Sequence, residues 1–172
     1  MRPADLLADA FERIRVGVQR VTEGLDQPAL VYRPGPAANS IAWLLWHTSR
    51  VQDDHVSEIA GVPQAYIAEG FADTLGLPAD PADTGYGHSS DQVAAVQPDD
   101  PSILVAYHDA VTRRSLDYLA SIDTEELDRI IDESYDPPVS VGVRLVSVIN
   151  DNMQHVGQAK YVKGLIDHET VE

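Results

Sequence analysis

SVGVRLVSVINDNMQHVGQAKYVKGLI, residues 140 to 166, decides the fold of this chain. Val143, Val146, Ile149, Met153, Val156 and Val162 recur at helical steps, so the segment predicts one long helix from Ser140 to about Ile166. Val141, Val143 and Val146 alone would also fit a short strand, but the run continues to Leu165, too long and too regular for one.

Working back from it, three more segments keep the same period. Pro101, tolerated in a first helical turn, opens a helix whose apolar positions are Ile103, Leu104, Tyr107, Val111, Leu116 and Leu119, ending near Ile122. Ile41, Leu44, Leu45, Thr48, Val51 and Ile59 predict a helix from 41 to about 60, capped by Asn39 or Ser40 and stopped by Gly61 and Pro63. Leu6, Leu7, Ala10, Phe11, Ile14, Val18, Val21 and Leu25 predict a first helix over 4 to 25. The Pro- and Gly-rich run at 26 to 39 takes the chain across between helices. Residues 62 to 100 form a long connection, with a turn or two of helix at Gln92 to Val96. Residues 123 to 139 combine a polar short helix or turn with a double-proline crossover. Four periodic helices without a credible strand pair predict an all-α antiparallel four-helix bundle with long crossover loops at 62 to 100 and 123 to 139.

Composition narrows the function. At 172 residues and 44% hydrophobic, the chain can close one apolar core, and a single domain over 1 to 172 is expected. Its apolar stretches are too short to span a bilayer, and MRPADLLADAFERIR lacks the form of a secretory signal, so a cytoplasmic protein without membrane partners is expected. Cysteine is absent, which removes disulfides, thiolate metal sites and a protein thiol nucleophile. A formal net charge of -16 argues against nucleic-acid partners, whose phosphates attract clustered Lys and Arg. Lys160 and Lys163 are the two lysines, placed to complement a helix end; the bias toward Arg, Ala, Asp and Val fits a high-GC bacterial genome.

Six histidines sort by context. His88 in a Gly/Ser loop and His168 in the tail read as exposed titrating groups. His55, beside Asp53 and Asp54 near a helix end, is favoured there by the helix dipole. His108 reads as a hydrogen-bonded, partly buried side chain. His47 interrupts the apolar run IAWLLWHTSRV, and a ring there needs a partner. Asp151 and His155 are four apart, which on a helix rising ~1.5 Å per residue puts both on one face, one turn apart, able to converge on one ion. The same spacing also fits an ordinary exposed acid-histidine pair worth a few tenths of a kcal/mol.

The segments NSIAWLLWHTSRVQDDH (39 to 55) and NDNMQHVGQAKYVKGL (150 to 165) resemble the two signatures of the DinB-like, YfiT-like superfamily of metal-binding four-helix bundles. The resemblance covers most of the chain, and within the superfamily it is greatest to the actinobacterial mycothiol-dependent transferases. It implies that His47, Asp151 and His155 bind one divalent metal, Asp151 standing where many members have histidine and the isomerase branch glutamate.

Two nitrogens and one oxygen leave positions open on a zinc ion, the mark of a catalytic site, although nickel, manganese or iron accept the same donors. No catalytic residue beyond the metal ligands is identified. The nucleophilic sulfur must come from outside, and the resemblance implies a low-molecular-weight thiol such as mycothiol, conjugated to an electrophilic small molecule. Competing readings are a non-enzymatic metal- or small-molecule-binding stress protein, and a metal-dependent hydrolase or thiol-dependent isomerase. Arg50 and Asp54, three and seven residues after His47, are placed to hold a polar co-substrate, or form a solvated helix end. Trp43 walls the pocket or is simply core. Gln158 shares the face of Asp151 and His155 and can orient a ligand. A homodimer is implied by the resemblance alone.

Overall fold

In the computed structural model, residues 1–169 are described, with side chains as far as Asp167; the His168 side chain lies outside the described residues. Four long helices form: α1 (Pro3–Thr22), α3 (Ile41–Ala60), α7 (Pro101–Ser121) and α8 (Val141–Glu169). Between them lie the short helices α2 (Gln27–Val31), α4 (Ala65–Ala68), α5 (Phe71–Leu75) and α6 (Ser90–Ala95), and a small hairpin of β1 (Ile130–Asp132) and β2 (Val139–Ser140). The caps follow local chemistry. Ser40 Oγ accepts from the Trp43 amide, and Gly61 takes the left-handed conformation (φ 67°) that ends α3.

The all-α bundle is as the sequence predicts, with α6 falling on the expected piece at 92 to 96. The hairpin, α2, α4 and α5 are not predicted: each is too short for periodicity to register. A finer correction concerns α8. Of its expected apolar stripe, Val143, Val146 and Met153 are exposed, whereas the buried row is Val141, Leu145, Val148, Asn152, Val156, Ala159 and Val162. Polar Asn152 interrupts that row, and apolar residues on a second face obscured it.

The helix order around the bundle is α1, α7, α3, α8. His47 lies near Asp151 while His55 meets Arg144, so α3 and α8 run antiparallel. Gln19 bonds Asp109 while Glu12 shares a cleft with Leu116, which makes α1 and α7 antiparallel too. Along α8, by contrast, Ile14 lies by Met153 while Lys163 donates to the carbonyls of Arg20 and Glu23, so α1 and α8 run parallel. Lys163 therefore satisfies the open carbonyls at the end of α1 rather than those of its own helix. Long helices consecutive in the chain, α1 with α3 and α7 with α8, thus lie diagonally opposed, while the long crossover between α3 and α7 lets these neighbours run parallel, Ser49 meeting His108 and Gln52 meeting Ser115.

The crossover at 61 to 100 is pinned from inside the bundle. Arg50, fully buried, donates to the carbonyls of Asp83 and Pro81 (both 2.8 Å), to Gln64 Oε1 and to the Tyr107 hydroxyl. Buried Asp53 accepts from the amides of Ala65 and Tyr66 and from Tyr107. These bonds compensate the desolvation of both charges and fix where residues 81 to 84 cross α3.

A polar layer crosses the core nearby. Gln52 donates to Ser115, Asn152 donates to Gln52, and His108 Nδ1 pairs with the Ser49 hydroxyl at 3.1 Å. His108 is wholly buried, more than expected, and burial, with a smaller contribution from Arg15, pushes its pKa from 6.5 to about 3. Between those values the unfolded chain binds a proton that the folded chain refuses, so stability falls as pH drops below 6.5. The expected loss from this group is at most about 1.4 kcal/mol per pH unit. His108→Gln should remove that increment, measured as a flatter dependence of the urea midpoint on pH than in the wild type.

Candidate metal centre

The facing rows of α3 and α8 build the site. His47 is 6% exposed, its ring stacked on Trp43 at 4.7 Å and 11°. His47 Nδ1 donates to the Thr84 carbonyl at 2.5 Å. The crossover approaches this closely because residue 85 is glycine: with φ at 91°, a Cβ there would lie 2.8 Å from Trp46 and 3.0 Å from His47 Nδ1. One turn beyond Asp151, His155 Nδ1 donates to Gln158 Oε1 at 3.1 Å.

Both histidines therefore hold their proton on Nδ1 and turn Nε2 inward. His47 Nε2 is 3.7 Å from Asp151 Oδ2, and His155 Nε2 is 3.5 Å from Asp151 Oδ1. One donor atom from each of the three lies within 4.8 Å of the others. Metal bonds of ~2.0–2.2 Å place neighbouring donors ~3–3.5 Å apart, so small side-chain adjustments suffice for a shared cation. Asp151 Oδ2 is moreover buried with no hydrogen bond, an oxygen whose desolvation a cation would offset. Aspartate is long enough here because α3 and α8 pack in direct contact. The residues present fit a divalent ion.

Electrostatics distinguish the two rings. Burial, opposed by the Thr84 bond, lowers the His47 pKa. The Asp151 carboxylate raises that of His155 against the effect of burial. Burial works to raise the Asp151 carboxyl, but its interaction with His155 and then His47 prevails and holds it below the usual range.

Beside the three donors lies an open cavity of about 410 Å³, lined by His47, Val51, His55, Thr84, Tyr86, Ser147, Val148 and Asp151. It follows the row 47, 51, 55 on α3, spaced four apart, and this decides the fate of the other expected residues. Arg50 points instead toward α7 and the crossover, where it is buried and structural. Asp54 accepts from Gln64 and stands 3.6 Å from His55, away from the cavity lining. Trp43 supports His47 rather than walling the cavity, and Gln158 acts on His155. None of these four lines it. His88 is also placed differently from expectation: its side chain is 9% exposed, accepting from Trp43 Nε1 and bonding Asp83 through Nε2. Sequence reading missed Thr84, Tyr86, Ser147 and the cavity position of His55; the Gly85-Tyr86-Gly87 run was the one local signal.

The family model of the DinB superfamily matches residues 10–159, and the chain belongs to that superfamily, which includes metal-dependent enzymes. The structure is similar to the crystal structure of the conserved protein of locus from Enterococcus faecalis, with a TM-score of 0.91 and 27% identity over 98% of this chain and 99% of that one. No protein of curated function matches the chain. Among the described residues no helix is long and apolar enough to cross a membrane.

Two outcomes are expected of this site. Gln158→Leu frees the His155 ring to turn, and zinc affinity measured by competition with a chromogenic chelator should fall about 10- to 100-fold while the helical circular dichroism is kept. Protons compete with the ion for Nε2, first at His155, whose pKa is raised. Affinity should therefore hold at alkaline pH and decline, by about tenfold per pH unit for each proton displaced, as pH falls through that value.

Proposed function

We propose that this protein is a divalent-metal-dependent transferase that joins a low-molecular-weight thiol to an electrophilic small molecule, with His47, Asp151 and His155 holding the ion. One observation supports this above the rest: two histidines fixed with Nε2 inward converge on one buried, unpaired carboxylate oxygen, and two of these three residues, His47 and Asp151, line an open cavity. A closed structural site would leave no such face. Zinc is the ion we favour, and mycothiol the thiol, on the resemblance of the two helical signatures.

A divalent cation held there supplies positive charge that lowers the pKa of a thiol brought to it. The chain's own residues prepare the place. Thr84 and Gln158 hold the two rings in register, Gly85 lets the crossover close over Trp43 and Trp46, and Val51 and Val148 give the cavity apolar walls. At about 410 Å³ the cavity is the size of a small-molecule site. The sulfur has to be supplied by the co-substrate, since the chain has no cysteine.

Zinc-loaded protein should consume mycothiol in the presence of a chlorodinitroaromatic, followed by the absorbance of the thioether. Activity should disappear with His155→Ala and with complete chelation, and return on adding zinc to the chelated wild type. Persistence of activity in either case removes the mechanism. Turnover without any thiol would point to hydrolysis instead.

A further inference from the structure

His55 stands two turns beyond His47 on α3, and its ring lines the same cavity. Its tautomer is set from behind. Arg144 Nη1 lies 3.1 Å from His55 Nδ1. A guanidinium has donors and no acceptor, so Nδ1 must accept and the neutral ring keeps its proton on Nε2. Arg144 is itself held by Asp132 at 3.4 Å. Asp54 Oδ2, 3.6 Å from the same Nδ1, is beyond hydrogen-bond reach. Burial first and Arg144 second lower the His55 pKa, which keeps the ring neutral at physiological pH.

Of the other polar groups of the cavity wall, the Thr84 hydroxyl makes no hydrogen bond among the described residues and has a rotatable hydrogen of no fixed direction, and the rest, Tyr86 at the rim apart, are committed. His47 and Asp151 belong to the cation site, Thr84 O accepts from His47, and the Ser147 hydroxyl donates to the Val143 carbonyl. Tyr86, 95% exposed, stands at the open rim. Among the described residues no hydrogen bond uses His55 Nε2, and the atom is not sealed from solvent. The inner wall therefore presents one fixed N–H.

Resting on the transferase reading above, we propose that His55 is a substrate-binding residue, a hydrogen-bond donor of fixed direction that selects electrophiles bearing an acceptor oxygen conjugated to the reacting carbon. Nitroarenes and α,β-unsaturated carbonyls are that class. As sulfur attacks, its electron pair forms the S–C bond and the π pair moves onto the acceptor oxygen, where Nε2–H stabilises the growing negative charge. In substitution the pair returns, the carbon-halogen bond breaks and halide departs with its electrons; in addition a solvent proton completes the adduct. The thiol proton passes to solvent, and His55 keeps its own throughout.

The test has a spectroscopic arm and a kinetic arm. Long-range ¹H–¹⁵N correlation on ¹⁵N-histidine-labelled protein should show His55 protonated on Nε2 and bare on Nδ1, assigned by the signals lost in His55→Gln. A ring protonated on Nδ1 overturns the proposal. With bound zinc per chain unchanged, His55→Leu should lower kcat/KM for a chlorodinitroaromatic about 100-fold. It should leave a benzyl halide without acceptor oxygen nearly unaffected, and His55→Asn, which keeps a donor, should recover part of the loss. Equal losses on both electrophiles, or none on either, sink the proposal while the transferase reading stands. A wild type that conjugates nothing with any thiol sinks that reading and this proposal with it, and is recognised before any variant is made.

Discussion

Two histidine nitrogens, each facing the Asp151 carboxylate at 3.5 to 3.7 Å, form the arrangement on which this structure turns. Thr84 and Gln158 take the Nδ1 protons of the two histidines, so the inward nitrogens meet a carboxylate with no hydrogen to share. A lone proton can relieve part of this, and His155 is the ring inclined to take it up. A cation relieves all of it at once. The surrounding fold reads as the apparatus that keeps these groups from turning away: stacked Trp43 on one side, the crossover carbonyl on another, and helix contact on the third.

That apparatus begins well away from the donors. Buried Arg50 and Asp53 anchor the segment from Gln64 to Asp83, which sets the height at which Thr84 passes His47. His88, bridging Trp43 and Asp83, ties the same segment to the aromatic ring behind the ligand. Side chains that looked from their spacing like substrate contacts are thus supports for a loop, and the loop is the support of the site. Misplacing such a loop by about 1 Å is enough to compromise a catalytic constellation.

The four long helices were legible because each repeats its apolar positions over five or more turns, and the pair Asp151 and His155 because a four-residue step is a fixed geometric relation. Which face of α8 lies inward was not legible, since Asn152 in the buried row and Val143, Val146 and Met153 on the outside invert the usual contrast. Arg50 was misjudged for a similar reason: a charge is expected outside, and nothing local announces that Pro81, Asp83, Gln64 and Tyr107 will converge on it. The short helices, the hairpin and the role of Thr84 depend on tertiary contacts that have no periodic trace. His55 faces the cavity because the α3 row in contact with α8 steps by four, which becomes visible only once the neighbour of α3 is known.

The ring order α1, α7, α3, α8 gives the bundle a temporal property as well. The donor at position 47 and those at 151 and 155 sit on helices that touch in space but are separated by most of the chain. A ribosome must therefore pass residue 151 before any two of these donors can meet. Until then the emerging chain carries one of the three donors, His47, which alone has little hold on a cation. A cation held by all three donors would therefore load only once α8 has packed against α3, and would clasp those two helices together against separation.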